Sequence, residues 1–151
     1  MPVYFSSMET YMKGVQVCWS DLDPNIHLRH SVYYDWGAYS RISFLEEMGL
    51  STGLLQQLRF GPILFREECQ FRREIRLGDL VTIDLQLIRA KPDYSRWSIR
   101  HQIYKNSETL SAILTVDGAW LDVEKRKLAT PPPQVGEVFG QMPRATDFEW
   151  Q

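Results

Sequence analysis

The most regular hydrophobic pattern in the chain predicts one long amphipathic helix. Between positions 32 and 48, apolar side chains recur every three or four residues, at Val32, Tyr33, Trp36, Tyr39, Ile42, Leu45 and Met48. This spacing is typical of a helix that packs one face against a core. Ser31 is the predicted N-cap, since its hydroxyl can accept a hydrogen bond from the first turn. Gly37 costs the helix ~1 kcal/mol against alanine, and a close approach to a sheet would account for it.

Five further stretches alternate apolar and polar residues, which is the pattern of half-buried strands. One of them, Gly14 to Ser20, precedes the helix, and four follow it. The four later stretches begin near Ile63, Val81, Trp97 and Leu110. Short turns between them favour antiparallel hairpins. The order β-α-β-β-β-β therefore predicts an α+β fold, with the long helix packed on a five-stranded antiparallel sheet.

The alternation stops after the last predicted strand. Pro131-Pro132-Pro133 cannot join a β-ladder, so residues 126–151 are predicted to be an irregular tail. The chain of 151 residues is predicted to form one domain, 1–151, with its core at about 13–125. A five-stranded sheet leaves two edges and one uncovered face, which favours a homodimer or homotetramer.

Composition narrows the possible partners and location. The net charge is −2, which gives no basic footprint for nucleic acid. The sequence has no apolar run near the ~20 residues that a membrane span needs, and Met1-Pro2-Val3-Tyr4 does not resemble the start of a signal peptide. Two cysteines make neither a disulfide framework nor a metal site. We therefore predict a cytoplasmic protein with no nucleic-acid or membrane partner.

The strongest chemical signal lies just before the helix, in the segment from Trp19 to Tyr33. It contains two aspartates, two histidines and an arginine within a polar turn, Asp21 to His30. A helix start carries unpaired backbone N–H groups and a partial positive charge, which can hold an oxyanion. A carboxylate close to such a start can act as a base or a nucleophile.

This segment and the order of elements resemble a known enzyme family. They are similar to the hotdog-fold acyl-CoA thioesterases of the 4-hydroxybenzoyl-CoA thioesterase type, over roughly residues 13 to 125. The opening Ser20-Asp21-Leu22-Asp23 also looks like that of plant acyl-ACP thioesterases. The resemblance implies a hotdog fold and the hydrolysis of an acyl-CoA or acyl-ACP thioester, with no metal and no other cofactor.

The resemblance also implies roles for individual residues. Asp23 matches the family's catalytic carboxylate, as nucleophile or as general base. The backbone N–H near His30 would polarise the thioester carbonyl, and His27, the histidine of the family motif, would orient the substrate or Asp23. Tyr33 matches an aromatic of the family. Arg29 stands where many relatives carry a neutral amide. The side chains of Arg29 and Tyr33 are predicted to contact the substrate.

The motif departs from the family at several positions, which leaves two other functions open. Many relatives carry Gly-His-Val-Asn-Asn where this chain reads Ile26-His27-Leu28-Arg29-His30. Loss of the glycine and the asparagines favours a catalytically silent hotdog module that binds acyl groups or partner proteins. Hotdog hydratases of enoyl-CoA carry a similar segment, Asp-x-Asn-Pro-Ile-His, but proline and asparagine are swapped here and the Asp23-to-His27 spacing is shorter by one.

Each residue also has a structural interpretation. Asp23 is of a type that favours turns before proline, and His27 is equally explained as a half-buried structural histidine. Asp21 is interpreted as structural, either capping the turn or pairing with Arg29. His101 lies on an apolar strand face and is predicted to be a core or interface histidine.

Overall fold

One long helix crosses a curved sheet in the computed structural model, which describes residues 8–151. The predicted α+β class is confirmed. The elements in chain order are β1 (Met12–Val15), α1 (His30–Glu47), α2 (Thr52–Leu58), β2 (Phe60–Phe71), β3 (Val81–Asp84), β4 (Gln86–Ala90), β5 (Arg96–Lys105), β6 (Thr109–Asp122), β7 (Lys127–Leu128), α3 (Pro133–Gly140) and β8 (Arg144–Trp150). None of these helices is long and apolar enough to cross a membrane.

The sheet is larger than the five strands predicted. Across it, β2 pairs with β6 and β6 with β5, while β5 also pairs with β3 and β4, and β1 pairs with β3, all antiparallel. The strand predicted from Val81 onward is divided into β3 and β4 at Leu85. The added strands are β7, antiparallel to β6, and β8, parallel to β4. The described sheet thus has eight strands.

Helix α1 covers two hydrophobic clusters on the sheet. Its first half packs Val32, Tyr33 and Trp36 into one cluster, and its second half packs Phe44 and Leu45 into the other. The close approach expected at Gly37 is confirmed, because a Cβ added there would overlap the Leu114 side chain on β6. These contacts fix the start of α1 relative to the sheet and thereby position the loop before it.

Two local predictions around the first strand are wrong. Helix α1 begins at His30 with Arg29 as N-cap, so Ser31 is not the cap. The strand predicted for Gly14 to Ser20 is only four residues long and lies earlier, at β1, and a 3-10 turn occupies Trp19–Asp21. That turn directs the Trp19 side chain outward, where it is 72% exposed, although the alternation of residues 14–20 places it on the same face as Val15 and Val17.

Strand β2 departs from simple alternation because of a bulge. Its register with β6 shifts between Leu64 and Arg66. An extra residue in one strand interrupts the period-two pattern. Phe65, which lies at the bulge, falls on the apolar face of the sequence alternation but is 53% exposed in the structure. Phe71 ends the strand and is also exposed, although its ring still packs against Tyr33 of α1.

The irregular tail predicted for residues 126–151 is wrong. Proline is compatible with the first turn of a helix, where the missing N–H would be unpaired in any case. Pro133 opens α3 in this way, with Pro132 as N-cap. Helix α3 then buries Val135, Val138 and Phe139 in the second cluster under α1. The three prolines therefore end one segment and begin a helix.

Candidate active site

The loop before α1 is a closed, hydrogen-bonded turn. Its flanking residues, Leu22 and Leu28, form an isolated antiparallel bridge. Inside it, the Asp23 N–H donates to the His27 carbonyl at 2.8 Å, and the Ile26 N–H donates to the Asp23 carbonyl at 2.9 Å. Ile26 has a φ of 63°, which is the left-handed region. Leu28 is buried and its N–H donates to the carbonyl of Ile75 at 2.7 Å, so the loop is attached to the segment between β2 and β3.

The Asp23 carboxylate takes part in this turn. Its Oδ1 accepts hydrogen bonds from the N–H groups of Asn25 at 2.9 Å and His27 at 3.2 Å. Both bonds end on the same oxygen. The carboxylate is also part of the lining of a cavity at the start of α1, so one side chain both closes the turn and reaches the open space beside it.

Asp21 and Arg29 hold the base of the loop. Asp21 Oδ2 accepts from the Cys18 N–H at 2.8 Å, and its Oδ1 lies 4.0 Å from Arg29 Nη2. Arg29 Nη1 also donates to the Ser31 hydroxyl at 2.7 Å, and its Nε donates to the Ser20 carbonyl at 3.4 Å. The structural interpretation of Asp21 therefore agrees with its contacts. The Arg29 guanidinium is directed at the loop and does not line the cavity.

The first turn of α1 presents its backbone N–H groups without a side-chain cap. Arg29, the N-cap residue, makes no side-chain capping hydrogen bond. The next residue, His30, is exposed and borders the cavity. Uncapped N–H groups and the helix dipole favour an anion or a polarised oxygen at this point.

A cavity of about 350 Å³ joins most of the predicted site residues. Asp23, His27, His30 and Tyr33 all line it, together with Leu28. The remaining lining residues come from the end of β2 and the segment after it: Phe71, Arg72, Arg73 and Glu74.

Tyr33 forms the buried wall of this cavity. It is 3% exposed and its ring meets that of Phe71 edge to face, with ring centroids 5.0 Å apart. Burial raises the pKa of its hydroxyl to about 12, so the phenol stays protonated at neutral pH. The cavity therefore has a neutral aromatic wall on one side and the polar loop on the other.

Glu74 brings a second carboxylate to the site, which the sequence did not indicate. Its Oε2 lies 3.3 Å from His27 Nε2, and its Oε1 accepts from Arg76 at 2.7 Å. The Arg76 hydrogen bond and the neighbouring His27 hold the pKa of Glu74 below its ordinary value. In the sequence Glu74 belongs to the polar face of a predicted strand, and only the return of that strand to the loop shows that it meets His27.

His101 lies apart from this cavity, as predicted for a core residue. It is fully buried on β5, where its Nδ1 lies 2.7 Å from the Asp84 carbonyl oxygen and its Nε2 lies 3.0 Å from Arg41 Nη1. Among residues 8–151, no group of three or more His, Cys, Asp and Glu side chains is arranged to hold a metal ion.

Comparisons with known proteins identify the family. The family model of the thioesterase-like superfamily matches residues 17–139. This span includes the loop, α1, the strands from β2 to β7 and most of α3. A search of curated proteins found no significant match. The chain belongs to the thioesterase-like superfamily, and the predicted class of enzyme, a thioesterase, is confirmed.

Solved structures confirm the hotdog-type fold. A Staphylococcus aureus protein solved in complex with CoA has a TM-score of 0.82 and 18% identity, over 94% of this chain and 90% of that one. The 1,4-dihydroxy-2-naphthoyl-CoA thioesterase of Synechocystis has a TM-score of 0.76 and 18% identity, over 85% and 94% of the two chains. A gentisyl-coenzyme A thioesterase has a TM-score of 0.75 and 21% identity, over 85% and 99%.

Proposed function

We propose that this protein hydrolyses an acyl-CoA thioester in the cavity at the start of α1. The observation that supports this most directly is the convergence of Asp23, His27, His30 and Tyr33 on one cavity. They come from a loop and a helix start, and they supply a carboxylate, an imidazole and uncapped N–H groups. Thioester hydrolysis needs a nucleophile or base and a donor for the oxyanion, and these groups meet both needs.

In this mechanism the substrate carbonyl lies at the first turn of α1. The N–H near His30 donates to the carbonyl oxygen and stabilises the negative charge that develops on it. Asp23 either attacks the carbonyl carbon or removes a proton from an attacking water. If Asp23 attacks, the carbon–sulfur bond breaks as an anhydride forms between Asp23 and the acyl group. The thiolate leaves and takes a proton from water, and a water molecule then hydrolyses the anhydride to the free acid. If Asp23 acts as the base, the water oxygen bonds to the carbonyl carbon, the carbon–sulfur bond breaks, and the proton held by Asp23 passes to the leaving thiolate. Because Oδ1 is held by the turn, Oδ2 is the oxygen we assign to this step.

The remaining polar residues position the loop and the imidazole. Glu74 orients His27 through its 3.3 Å contact with Nε2. Arg29 was predicted to contact the substrate, and we now propose a different role because its guanidinium is directed at Asp21 and Ser31. It fixes the turn that carries Asp23.

The proposed substrate is an acyl-CoA, with acyl-ACP as the alternative carrier. The similar structures support CoA, since one was solved in complex with CoA and two are thioesterases of CoA esters. Arg72 and Arg73 are exposed on the cavity lining and offer guanidinium groups to the phosphates of a carrier. Tyr33 and Phe71 provide apolar surface for the acyl group.

We also propose that the protein acts as a homodimer or homotetramer. Strand β2 pairs with β6 on one side, and it carries three exposed apolar side chains, Leu64, Phe65 and Phe71. An edge with exposed apolar residues is suited to pairing with a second copy. Phe71 also lines the candidate site, so assembly through β2 would bring a second chain close to the substrate. The cytoplasmic location stays a prediction from the sequence.

A thiol-release assay on a panel of acyl-CoAs tests the proposed function. Free CoA should appear with the wild-type protein, at a rate that saturates with substrate. Hydration of an enoyl-CoA without release of thiol would favour the hydratase instead. Saturable binding with neither product would favour the silent acyl-binding module, which the missing asparagines of the motif support.

A further inference from the structure

A second cavity lies under the later half of α1 and has no role in the proposed reaction. Its volume is about 240 Å³, and it is lined mainly by apolar side chains of α1, β2, β5 and the end of α3, such as Ile42, Ile99 and Phe139. It shares no lining residue with the cavity at the start of α1. Among the described residues that line it, Arg41 is the one that carries a charge. Arg41 is roughly 16 Å along the helix axis from His30 at 1.5 Å per residue.

The position of Arg41 is fixed from beneath by His101. The Asp84 carbonyl can only accept a hydrogen bond, so His101 Nδ1 carries the proton of the 2.7 Å contact. A guanidinium can only donate, so Nε2 is the acceptor of the 3.0 Å contact with Arg41 Nη1. The imidazole is therefore neutral, and burial together with Arg41 lowers its pKa to about 3. A neutral histidine holds the guanidinium without neutralising its charge.

Arg41 keeps a positive charge that this chain compensates only weakly. Burial lowers its pKa to about 10, so it is still protonated at neutral pH. The nearest acidic partner is Glu67 on β2, with its Oε2 3.8 Å from Arg41 Nη2, which is too far for a hydrogen bond. A guanidinium has five N–H donors, and one is used by His101. A desolvated cation with unused donors favours an anionic partner.

We propose that this cavity binds a small organic acid, with the hydrocarbon part in the apolar cavity and the carboxylate on Arg41. The planar fork of an arginine matches the two oxygens of a carboxylate. A cavity of roughly 150 Å³ is enough for a benzene ring, so the space here suits a chain of about six carbons with its head group. The site is independent of thioester hydrolysis, and its test needs no turnover.

Isothermal titration calorimetry with hexanoate and hexan-1-ol tests the proposal, because the two probes differ mainly in charge. Wild-type protein should bind hexanoate at least about tenfold more tightly than hexan-1-ol, since a charge-assisted pair is lost with the alcohol. Arg41→Met should remove this preference and leave hexan-1-ol binding close to wild type. Glu67→Gln should tighten hexanoate binding, because it removes the anion that competes for Arg41.

Two further variants keep the test decisive. Arg59→Met is the matched control, since Arg59 is exposed, pairs with Glu124 and does not line this cavity. It should bind both probes like the wild type. Arg41→Met leaves the buried His101 nitrogen without a donor and risks unfolding, so Ala38→Trp provides a second route. Ala38 is an exposed lining residue, and a tryptophan there should fill the cavity and abolish binding of both probes.

Three results would overturn the proposal. Wild-type protein that binds no hexanoate would show that the cavity does not accept acids. Unchanged hexanoate binding in Ala38→Trp would place the acid elsewhere on the protein. A charge preference that persists in folded Arg41→Met would show that another cation recognises the carboxylate.

Discussion

Replacing Asp23 by asparagine and by alanine separates its structural role from its proposed catalytic role. In the structure, Asp23 Oδ1 accepts from the N–H groups of Asn25 and His27. An asparagine retains a carbonyl oxygen in this place but loses the negative charge. An alanine loses both. Both variants therefore remove the negative charge, but only the alanine also removes the acceptor of the turn hydrogen bonds.

The expected magnitudes follow from those contacts. Each lost hydrogen bond costs about 0.5–1.5 kcal/mol, so Asp23→Ala should lower the free energy of unfolding by about 1–3 kcal/mol. Asp23→Asn should lower it by less than about 1 kcal/mol, since an acceptor remains. Both variants should lose at least about 100-fold in kcat, or roughly 3 kcal/mol, if the carboxylate is the nucleophile or base. The loss should fall on kcat because the charge acts in the transition state.

Urea unfolding measures the stability of each variant, and thiol release from an acyl-CoA measures its turnover. Asp21→Asn is the matched control, because Asp21 accepts a turn hydrogen bond in the same loop and is not part of the cavity lining. Its turnover should stay within about twofold of wild type, equivalent to ~0.5 kcal/mol. A folded Asp23→Asn protein with near-normal kcat would refute the assignment and leave Asp23 as a turn residue.

Three further predictions concern stability, each measured by urea unfolding. Gly37→Ala should destabilise the protein by about 1–3 kcal/mol, because the added Cβ overlaps the Leu114 side chain. Gly53→Ala in α2 is the control. A Cβ there meets only the Ser51 hydroxyl, at 3.9 Å, so this variant should be neutral or stabilising. Burial raises the pKa of Asp84 from 3.8 to about 6. The wild-type protein is therefore most stable below pH 4, where Asp84 is protonated, and loses stability as the pH rises through 6. Asparagine stays neutral, so the free energy of unfolding of Asp84→Asn should rise relative to that of the wild type by up to about 3 kcal/mol between pH 4 and pH 7. An Asp84→Asn protein that is no more stable than wild type at pH 7 would contradict this prediction. Ile26→Asn should stabilise the protein by about 1 kcal/mol, because asparagine tolerates positive φ better than a β-branched residue, and destabilisation would argue against strain at this position.

The long helix and the main strands were predictable because their patterns are local. The stripe from Val32 to Met48 has the helical period, and the structure places α1 at His30–Glu47. Predictions from the hydrophobic pattern were wrong where another local feature determined the structure. A bulge after Leu64 turned Phe65 outward, and Pro133 at the start of a helix was interpreted as the end of all regular structure.

Only part of the candidate site could be predicted, because its residues come from segments that are far apart in the sequence. Asp23, His27 and His30 lie within one short segment, so their proximity follows from the sequence. Glu74 and the neighbouring arginines reach the same cavity only because β2 returns to the loop. The Leu28 N–H bond to the Ile75 carbonyl shows the same meeting of distant segments. No pattern within either segment indicates that pairing.

The backbone conformation of Ile26 shows that the absence of the motif glycine does not prevent the turn from forming. Relatives with glycine at this position can adopt positive φ without steric cost, and Ile26 adopts it here with φ 63°. Four hydrogen bonds to Asp23 groups close the turn around it and hold it in that conformation. Loss of the glycine has therefore changed the energy of the loop, by roughly 1–2 kcal/mol, while the turn itself stays closed. The silent-module alternative consequently rests on the missing asparagines alone, since the turn still brings Asp23 to the cavity at the start of α1.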